Sequence, residues 1–319
     1  MAMGADGHLS IAAGGWGERQ RTLKNPIHCS GVGVHNGRKV HMTLRPAAAD
    51  HGIVFRRGDL GESVAAHWSK AIESPLCTTL VLPSGAKLAT VEHLLSAFLG
   101  LGIDNALVEL DGPEVPIMDG SAAPFVFLIE CAGIEEQAAP RRRIEVLKTV
   151  AIEDKDRSAR LAPADRLAVD FSIEFPNPLI QRQRWQGLIT APAYKREIAR
   201  ARTFGFLHDV ESLRARGLAL GGSLENAIVI DGARIMNEGG LRYTDEFVRH
   251  KVLDAVGDLY LAGAPLVGRF TGERAGHALT LRLLNHLFAD RSAWRWVSAE
   301  EMPHAAALPR VERAVAQRA

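Results

Sequence analysis

Between Phe247 and Asp258 three polar side chains, His250, Asp254 and Asp258, recur every fourth residue in an otherwise apolar text. That spacing sets them on one face of an α-helix, while Val252, Leu253, Val256 and Leu259 make its other sides apolar. A helix of this kind must bury its apolar sides, so the polar stripe either faces solvent as an i,i+4 pair or points into a cleft. An imidazole and a carboxylate one turn apart are also a compact pair of metal ligands, which needs a third protein ligand and an open position for chemistry. The pattern H-x-x-x-D is short, and alone it leaves both readings open.

A second helix raises the same question. From Thr90, the residues Leu94, Leu95, Phe98 and Leu99 recur at helical spacing, with Gly100 or Gly102 as the stop. Glu92 and His93 stand inside this apolar helix, where each is costly unless paired or ligating. Neighbours on a helix diverge by roughly 100°, so Glu92 can reach a water from the side if His93 binds a metal, as a general base would. The alternative is a helix-start carboxylate favoured by the dipole, beside a satisfied core histidine. His277 follows a glycine and begins an apolar stretch; a loop or strand end either presents it to a pocket or packs it structurally. Thr203 reads on its own as a capping or turn hydroxyl.

At 319 residues the chain exceeds what one hydrophobic core usually organises, which favours two domains. Alternating apolar and polar residues from Gln20 to Pro46, with turn signals at Gly31, Gly33 and Asn36-Gly37, predict strands joined by a hairpin. The spacing predicts a strand over 105–110 and a helix over 123–131. Around Gln137–Arg143 the periodicity lapses and three arginines follow Pro140, the composition of a linker. Beyond it, strands are expected near 144–152, 167–175 and 185–189, and helices near 195–201 and 245–262. Val91-x-His93 with Gly100 seven residues on matches Val248-x-His250 with Gly257 seven on. The element order and this echo imply two related α+β halves, each a sheet backed by helices, with a site where their helices meet. The expected division is a disordered leader over 1–18, an N-terminal α+β domain over 19–139, a C-terminal one over 144–290, and a tail over 291–319.

The balance of 38 Lys and Arg against 37 Asp and Glu offers no broad field for nucleic acid or an acidic membrane. Three widely spaced cysteines suit a reducing compartment, and with no signal segment or membrane span in the text a cytoplasmic monomer is expected. Two Gly-Ser tracts, Asp119-Gly-Ser and Leu220-Gly-Gly-Ser, invite a phosphate-cradle reading and hence a kinase, but neither carries the P-loop lysine; they read mainly as caps and tight turns.

In order, the chain carries Thr90-Val-Glu-His-Leu, Pro116-Ile-Met-Asp-Gly-Ser-Ala-Ala-Pro-Phe, Arg200-Ala-Arg-Thr-Phe-Gly-Phe, Arg249-His-Lys-x-Leu-Asp-Ala-x-Gly-Asp and Gly276-His-Ala-Leu. Together these motifs closely resemble the UDP-3-O-acyl-N-acetylglucosamine deacetylase family of bacterial lipid A synthesis, over about Gln20 to Leu287. The resemblance implies two β-α-α-β sandwich domains, each with a small insert, and zinc at their interface. It implies His93, His250 and Asp254 as zinc ligands with water in the fourth position, and Glu92 as the base. Thr203 would stabilise the oxyanion with the metal. His277, oriented by Asp258, would stabilise charge and give a proton to the leaving amine; Lys251 would contact substrate or the reacting centre. Phe204, Phe206 and the segment Gly205 to Gly222, within an insert near 205–235, resemble the part that houses the fatty-acyl chain of a UDP-linked amino sugar. Imidazole and carboxylate ligands suit iron as well as zinc. Departures from the family pattern fall in the leader, at Pro75 and after Leu287, and bear on acyl-chain preference. A kinase, or a binding module that kept the pocket without turnover, remain the other readings.

Overall fold

The computed structural model describes residues 17–74 and 76–298; the expectations for residues 1–16, Pro75 and 299–319 lie outside them. After strand β1 (Arg19–Leu23), β2 (Ile27–Val32) and β3 (Lys39–Pro46) form the predicted hairpin, followed by β4 (Ile53–Arg57) and β5 (Glu62–Ala65). A small insert sheet then intervenes, β6 (Ala71–Ile72), β7 (Thr79–Val81) and β8 (Lys87–Leu88). Helix α1 (Glu92–Leu101), strand β9 (Ala106–Leu110) and helix α2 (Ala123–Ala132) complete the first unit, and β10 (Ile134–Pro140) pairs back onto β1.

The second unit repeats this order. After β11 (Arg142–Val146) come β12 (Val150–Asp154), β13 (Arg157–Ala162), β14 (Ala168–Phe175) and β15 (Gln181–Leu188). A helical turn α3 (Ala191–Ala193) runs into a π-helical turn over Tyr194–Ile198, so helix replaces coil a few residues before the predicted 195–201. The insert holds β16 (Phe204–Phe206), helix α4 (Leu207–Ala215), β17 (Ile228–Asp231) and β18 (Arg234–Ile235). Helix α5 (Glu246–Leu259), β19 (Leu266–Val267), β20 (Arg269–Glu273), helix α6 (His277–Ala289) and β21 (Trp294–Ser298) follow. Strand β21 pairs with β11, so a strand occupies the start of the segment expected to be tail.

The duplication is clearest in the pairing. One five-stranded sheet is ordered β2-β3-β9-β4-β5 and the other β12-β13-β20-β14-β15. In each, the strand after the long helix lies at the centre, antiparallel to one neighbour and parallel to the other. Period-two burial drives both: Val40, Met42 and Leu44 of β3 turn inward, as do Val169, Phe171 and Ile173 of β14. The protein is therefore α+β, built from two related sandwich units, each with a small insert.

Helices α1 and α5 pack against each other between the sheets. All ten residues of α1 are buried, as expected of a helix that is apolar nearly all round. Gly257 makes the approach possible, because a Cβ there would overlap the carbonyl oxygen of Glu92. Gly100, its echo in the sequence, faces the ring of Tyr194 instead.

The presumed linker is not a loose connection. Arg141, between β10 and β11, is fully buried, holds Asp104 at 2.6 Å and donates to the carbonyl of Gly102 at 2.6 Å. Three adjacent arginines read as linker composition, yet one of them is the paired charge on which the two strands turn. An ion buried in this way is costly to orphan.

Replacing Gly257 by Ala pits a gain of about 1 kcal/mol in helix propensity against a backbone collision. Overpacking typically costs about 1–3 kcal/mol, and the backbone oxygen of Glu92 is poorly placed to yield, so the collision is expected to win. Denaturant unfolding of Gly257→Ala should show a lower midpoint than the parent; an unchanged or higher midpoint would mean the helices have room to separate.

Candidate metal centre and adjoining cavity

Where α1 starts beside the middle of α5, His93, His250 and Asp254 converge. One ligand atom from each lies within 4.8 Å of the others, and all three residues are buried. The Nε2 atoms of His93 and His250 stand 3.5 and 3.3 Å from Asp254 Oδ1, and the two rings meet edge to face at 5.0 Å. His250 Nδ1 is 3.1 Å from the carbonyl oxygen of Ala201. A carbonyl can only accept, so Nδ1 carries the proton and Nε2 keeps its lone pair for the cluster. Burial pushes the His250 imidazole down to about 4, which also keeps it neutral. Asp254 Oδ1 accepts no hydrogen bond among the described residues. A buried carboxylate oxygen left so between two imidazole nitrogens calls for a cation, and the two-nitrogen, one-oxygen donor set fits a divalent metal with an open position.

The surrounding charges are ordered by the same helix. Lys251 Nζ lies 2.6 Å from Asp254 Oδ2. Burial pushes the Asp254 carboxyl up, but the neighbouring His250 and Lys251 side chains outweigh it and hold the group well below the usual range. His277 Nδ1 is 2.9 Å from Asp258 Oδ2, and its Nε2 turns toward Asp254 at 3.8 Å. Burial disfavours the His277 cation, yet the Asp258 carboxylate overrides this and lifts the imidazole to about 9. Glu92 is the reverse case: burial, and the nearby Cys77 and carboxylates of Asp254 and Asp258, raise it well above the ordinary range despite the opposing charge of His277.

His277 is the first residue of α6, with Gly276 before it, not a loop or strand-end residue as its glycine neighbour suggested. Thr203 is fixed through its backbone: its N–H donates to the Gly120 carbonyl at 2.8 Å and its own carbonyl accepts from Ile228. The Gly-Ser tracts serve this join between the units. A Cβ on Gly120 would overlap the Asn226 carbonyl oxygen, and one on Gly221 the Gly33 carbonyl oxygen. They are close approaches of backbone to backbone.

A cavity of about 340 Å³ opens from the cluster, with Glu92, His93, Thr203 and Phe204 on its wall. Its remaining lining is mainly apolar and comes largely from the second insert, including Leu207, Val210 and Leu213 of α4 with Val229 and Met236. Positions 207, 210 and 213 step by three, so one face of α4 forms a continuous wall. Phe206 is not part of this lining; its ring packs against Phe175 and His208.

Sequence reasoning missed three participants. His35 lines the cavity from the first unit, its ring Nδ1 buried without a hydrogen-bond partner among the described residues. Glu114 accepts from the backbone of His35 and Asn36 at 2.8 and 3.0 Å and from the Thr90 hydroxyl at 3.0 Å. Thr78 donates its backbone N–H to Glu92 Oε2 at 3.0 Å and its hydroxyl to Asp258 Oδ1. The one general signal for the last was that a threonine beside an apolar strand needs a partner once buried.

The chain matches the family model for UDP-3-O-acyl N-acetylglycosamine deacetylase (LpxC) over residues 20–289. It is 53% identical over 287 residues to the UDP-3-O-acyl-N-acetylglucosamine deacetylase of Xanthomonas axonopodis pv. citri, covering 89% of this chain and 94% of that one. With the protein of the same name from Stenotrophomonas maltophilia it shares 54% over 284 residues, covering 88% and 93%.

Because the His277 value lies above the ordinary 6.5, its charge contributes stability that is present in full below that pH and lost as pH rises through about 9. Asp258→Asn removes the carboxylate that sustains this. Titration of the His277 imidazole by NMR should then give a clearly lower midpoint than about 9 in the otherwise intact protein; an unmoved midpoint would show that another group holds the proton.

Proposed function

The chain belongs to the UDP-3-O-acyl-N-acetylglucosamine deacetylase family, and from that premise we propose that it is a zinc-dependent amidase acting at the His93, His250 and Asp254 cluster. Its reaction is the deacetylation step of lipid A biosynthesis: the 2-N-acetyl group of a UDP-linked 3-O-acyl glucosamine is hydrolysed to acetate and a free amine. The observation that carries this reading is the buried carboxylate oxygen of Asp254, lacking a hydrogen bond between two imidazole Nε2 atoms, at the head of a largely apolar cavity.

His93, His250 and Asp254 would hold the metal through Nε2, Nε2 and Oδ1. When bound, a zinc ion polarises a carbonyl and makes an adjacent water more acidic. The rest falls to the chain's own side chains. Glu92, raised by burial and anchored through Oε2, is basic enough to take the proton of the attacking water. The Thr203 hydroxyl, on a backbone fixed at both N–H and carbonyl, supports the oxygen on which charge develops. As the C–N bond breaks, His277 gives a proton to the departing nitrogen; its cation, maintained by Asp258, has it to give at neutral pH. Lys251 offsets the Asp254 charge and borders the reacting centre. The acyl chain would lie along the wall made by α4 and Phe204, with Phe206 supporting that wall from behind through Phe175.

The three unpaired cysteines, Cys29, Cys77 and Cys131, support a reducing, cytoplasmic setting. No helix among the described residues is long and apolar enough to cross a membrane. We take the working unit to be a monomer, since both units that form the site come from one chain.

Two variants separate metal binding from proton transfer. His250→Ala should lose zinc and turnover together, measured by metal quantification and by acetate release on substrates of graded acyl length; a variant with full zinc content and full rate would reject the ligand assignment. Glu92→Gln should keep zinc and lose about 10²- to 10⁴-fold in rate. Retained turnover in that variant would remove Glu92 from the base role.

A further inference from the structure

Thr78 lies just before β7, in the insert sheet of the first unit, and is nearly fully buried. Each of its polar groups is committed. The backbone N–H donates to Glu92 Oε2 at 3.0 Å. Its carbonyl accepts from Val91 N–H at 3.4 Å, at the entry to α1. Its hydroxyl touches both Asp258 Oδ1 and, at 3.2 Å, His277 Nδ1.

The proton directions follow from the chemistry of the partners. An ionised carboxylate accepts only, so the single hydroxyl proton goes to Asp258. The Thr78 oxygen then has lone pairs left for the His277 Nδ1–H, which already points to Asp258 Oδ2 at 2.9 Å. Nδ1–H thus sits in a fork between two acceptors that are bonded to each other, a closed ring of three groups. Such a ring holds the imidazole by two contacts where a carboxylate alone would let it pivot on one. Nε2 is left facing the cluster.

We propose that Thr78 is a positioning residue of the deacetylation site, its hydroxyl locking the Asp258–His277 pair while its amide locks Glu92, so that one insert residue sets the placement of base and acid relative to each other. The inference rests on the function proposed above. It gives the first insert a task of its own, distinct from the cavity wall supplied by the second.

Thr78→Val removes the hydroxyl and keeps the backbone N–H on Glu92. It is expected to lower kcat about 10- to 100-fold, as loss of a hydrogen bond to a charged partner near a metal site does. KM for the UDP-sugar and zinc content should stay within about threefold of the parent, and Thr78→Ser should recover kcat to within about threefold. Thr79→Val is the control: it deletes a buried hydroxyl next door whose contact is Cys77 Sγ at 3.6 Å, and its kcat should remain near the parent's. Should Val at 78 prevent folding, Thr78→Cys, with its weakly donating thiol, is measured against the same limits. The inference is overturned if the folded variant keeps kcat within about threefold, if Thr79→Val loses as much, if Ser does not rescue, or if the loss lies in KM or zinc content. A parent protein that releases no acetate overturns the proposed function and this inference together, whereas an active parent with an unaffected Thr78→Val overturns this inference alone.

Discussion

Three carboxyl groups, Glu92, Asp254 and Asp258, are buried between two helices that cross closely enough to need a glycine at the contact. An isolated ion taken from water into such a place costs several kcal/mol, so the architecture around it is a set of answers to that cost. Lys251 sits on Asp254 and His277 on Asp258, which leaves Glu92 without a cation of its own. It is accordingly the carboxyl driven upward, while Asp254 is driven down. Two acids in one pocket are thereby held in different states: one basic enough to accept a proton, one suited to hold a metal.

Duplication explains why such a site exists at this place. In each unit the long helix precedes the central strand of that unit's own sheet in the chain, and the two helices pack against each other. Neither unit holds a complete site. His93 and Glu92 come from one helix, and His250, Lys251, Asp254 and Asp258 from the other. The inserts then diverge within a common frame. The first is short and delivers Thr78 to the charged groups; the second adds a helix and delivers an apolar wall. The second insert is tied down by its backbone, with Leu220 N–H on the His35 carbonyl and Gly221 N–H on the Val34 carbonyl, both at 3.1 Å. The cavity is thus closed by main chain from both units.

What the sequence displayed well was periodicity. The four-residue step of His250, Asp254 and Asp258 and the apolar repeat after Thr90 are local patterns, and the helices follow them to within a residue or two. Convergence was less legible: the echo of Val91-x-His93 in Val248-x-His250 pointed to a site where the helices meet, but that residues 157 positions apart share an ion-sized space was carried only by the ordered motifs of a family. Arg141 went unnoticed in its linker-like stretch because a buried guanidinium and a solvated one are spelled alike, and its partner Asp104 is far off in sequence. His277 was misjudged because a preceding glycine signals a loop as readily as a helix start. Thr78 escaped because its importance lies in who its neighbours are, which composition does not record. Phe206, grouped with Phe204 as acyl-contacting, shares its strand parity, so period two alone would put both rings on one side; its ring packs instead against Phe175 and His208, where the chain leaves the strand for α4 directly after it.

The entry to α1 shows how local strain serves the site. Thr90 has φ near +60°, a backbone region that a β-branched residue occupies only under compulsion, at roughly 1–3 kcal/mol. Glu114 supplies the compulsion, since it accepts the Thr90 hydroxyl along with the backbone N–H groups of His35 and Asn36. A hydrogen bond to a charged acceptor is worth about 1.5–3 kcal/mol, so the one from the Thr90 hydroxyl is of the size of the strain it offsets. Glycine would relieve the backbone but surrender that bond. Because the same carboxylate grips the turn that carries His35, the start of the helix bearing Glu92 and His93 cannot shift without moving the cavity wall as well. Strain at position 90 is therefore the consequence of registering two separate segments against one buried carboxylate, two residues before Glu92.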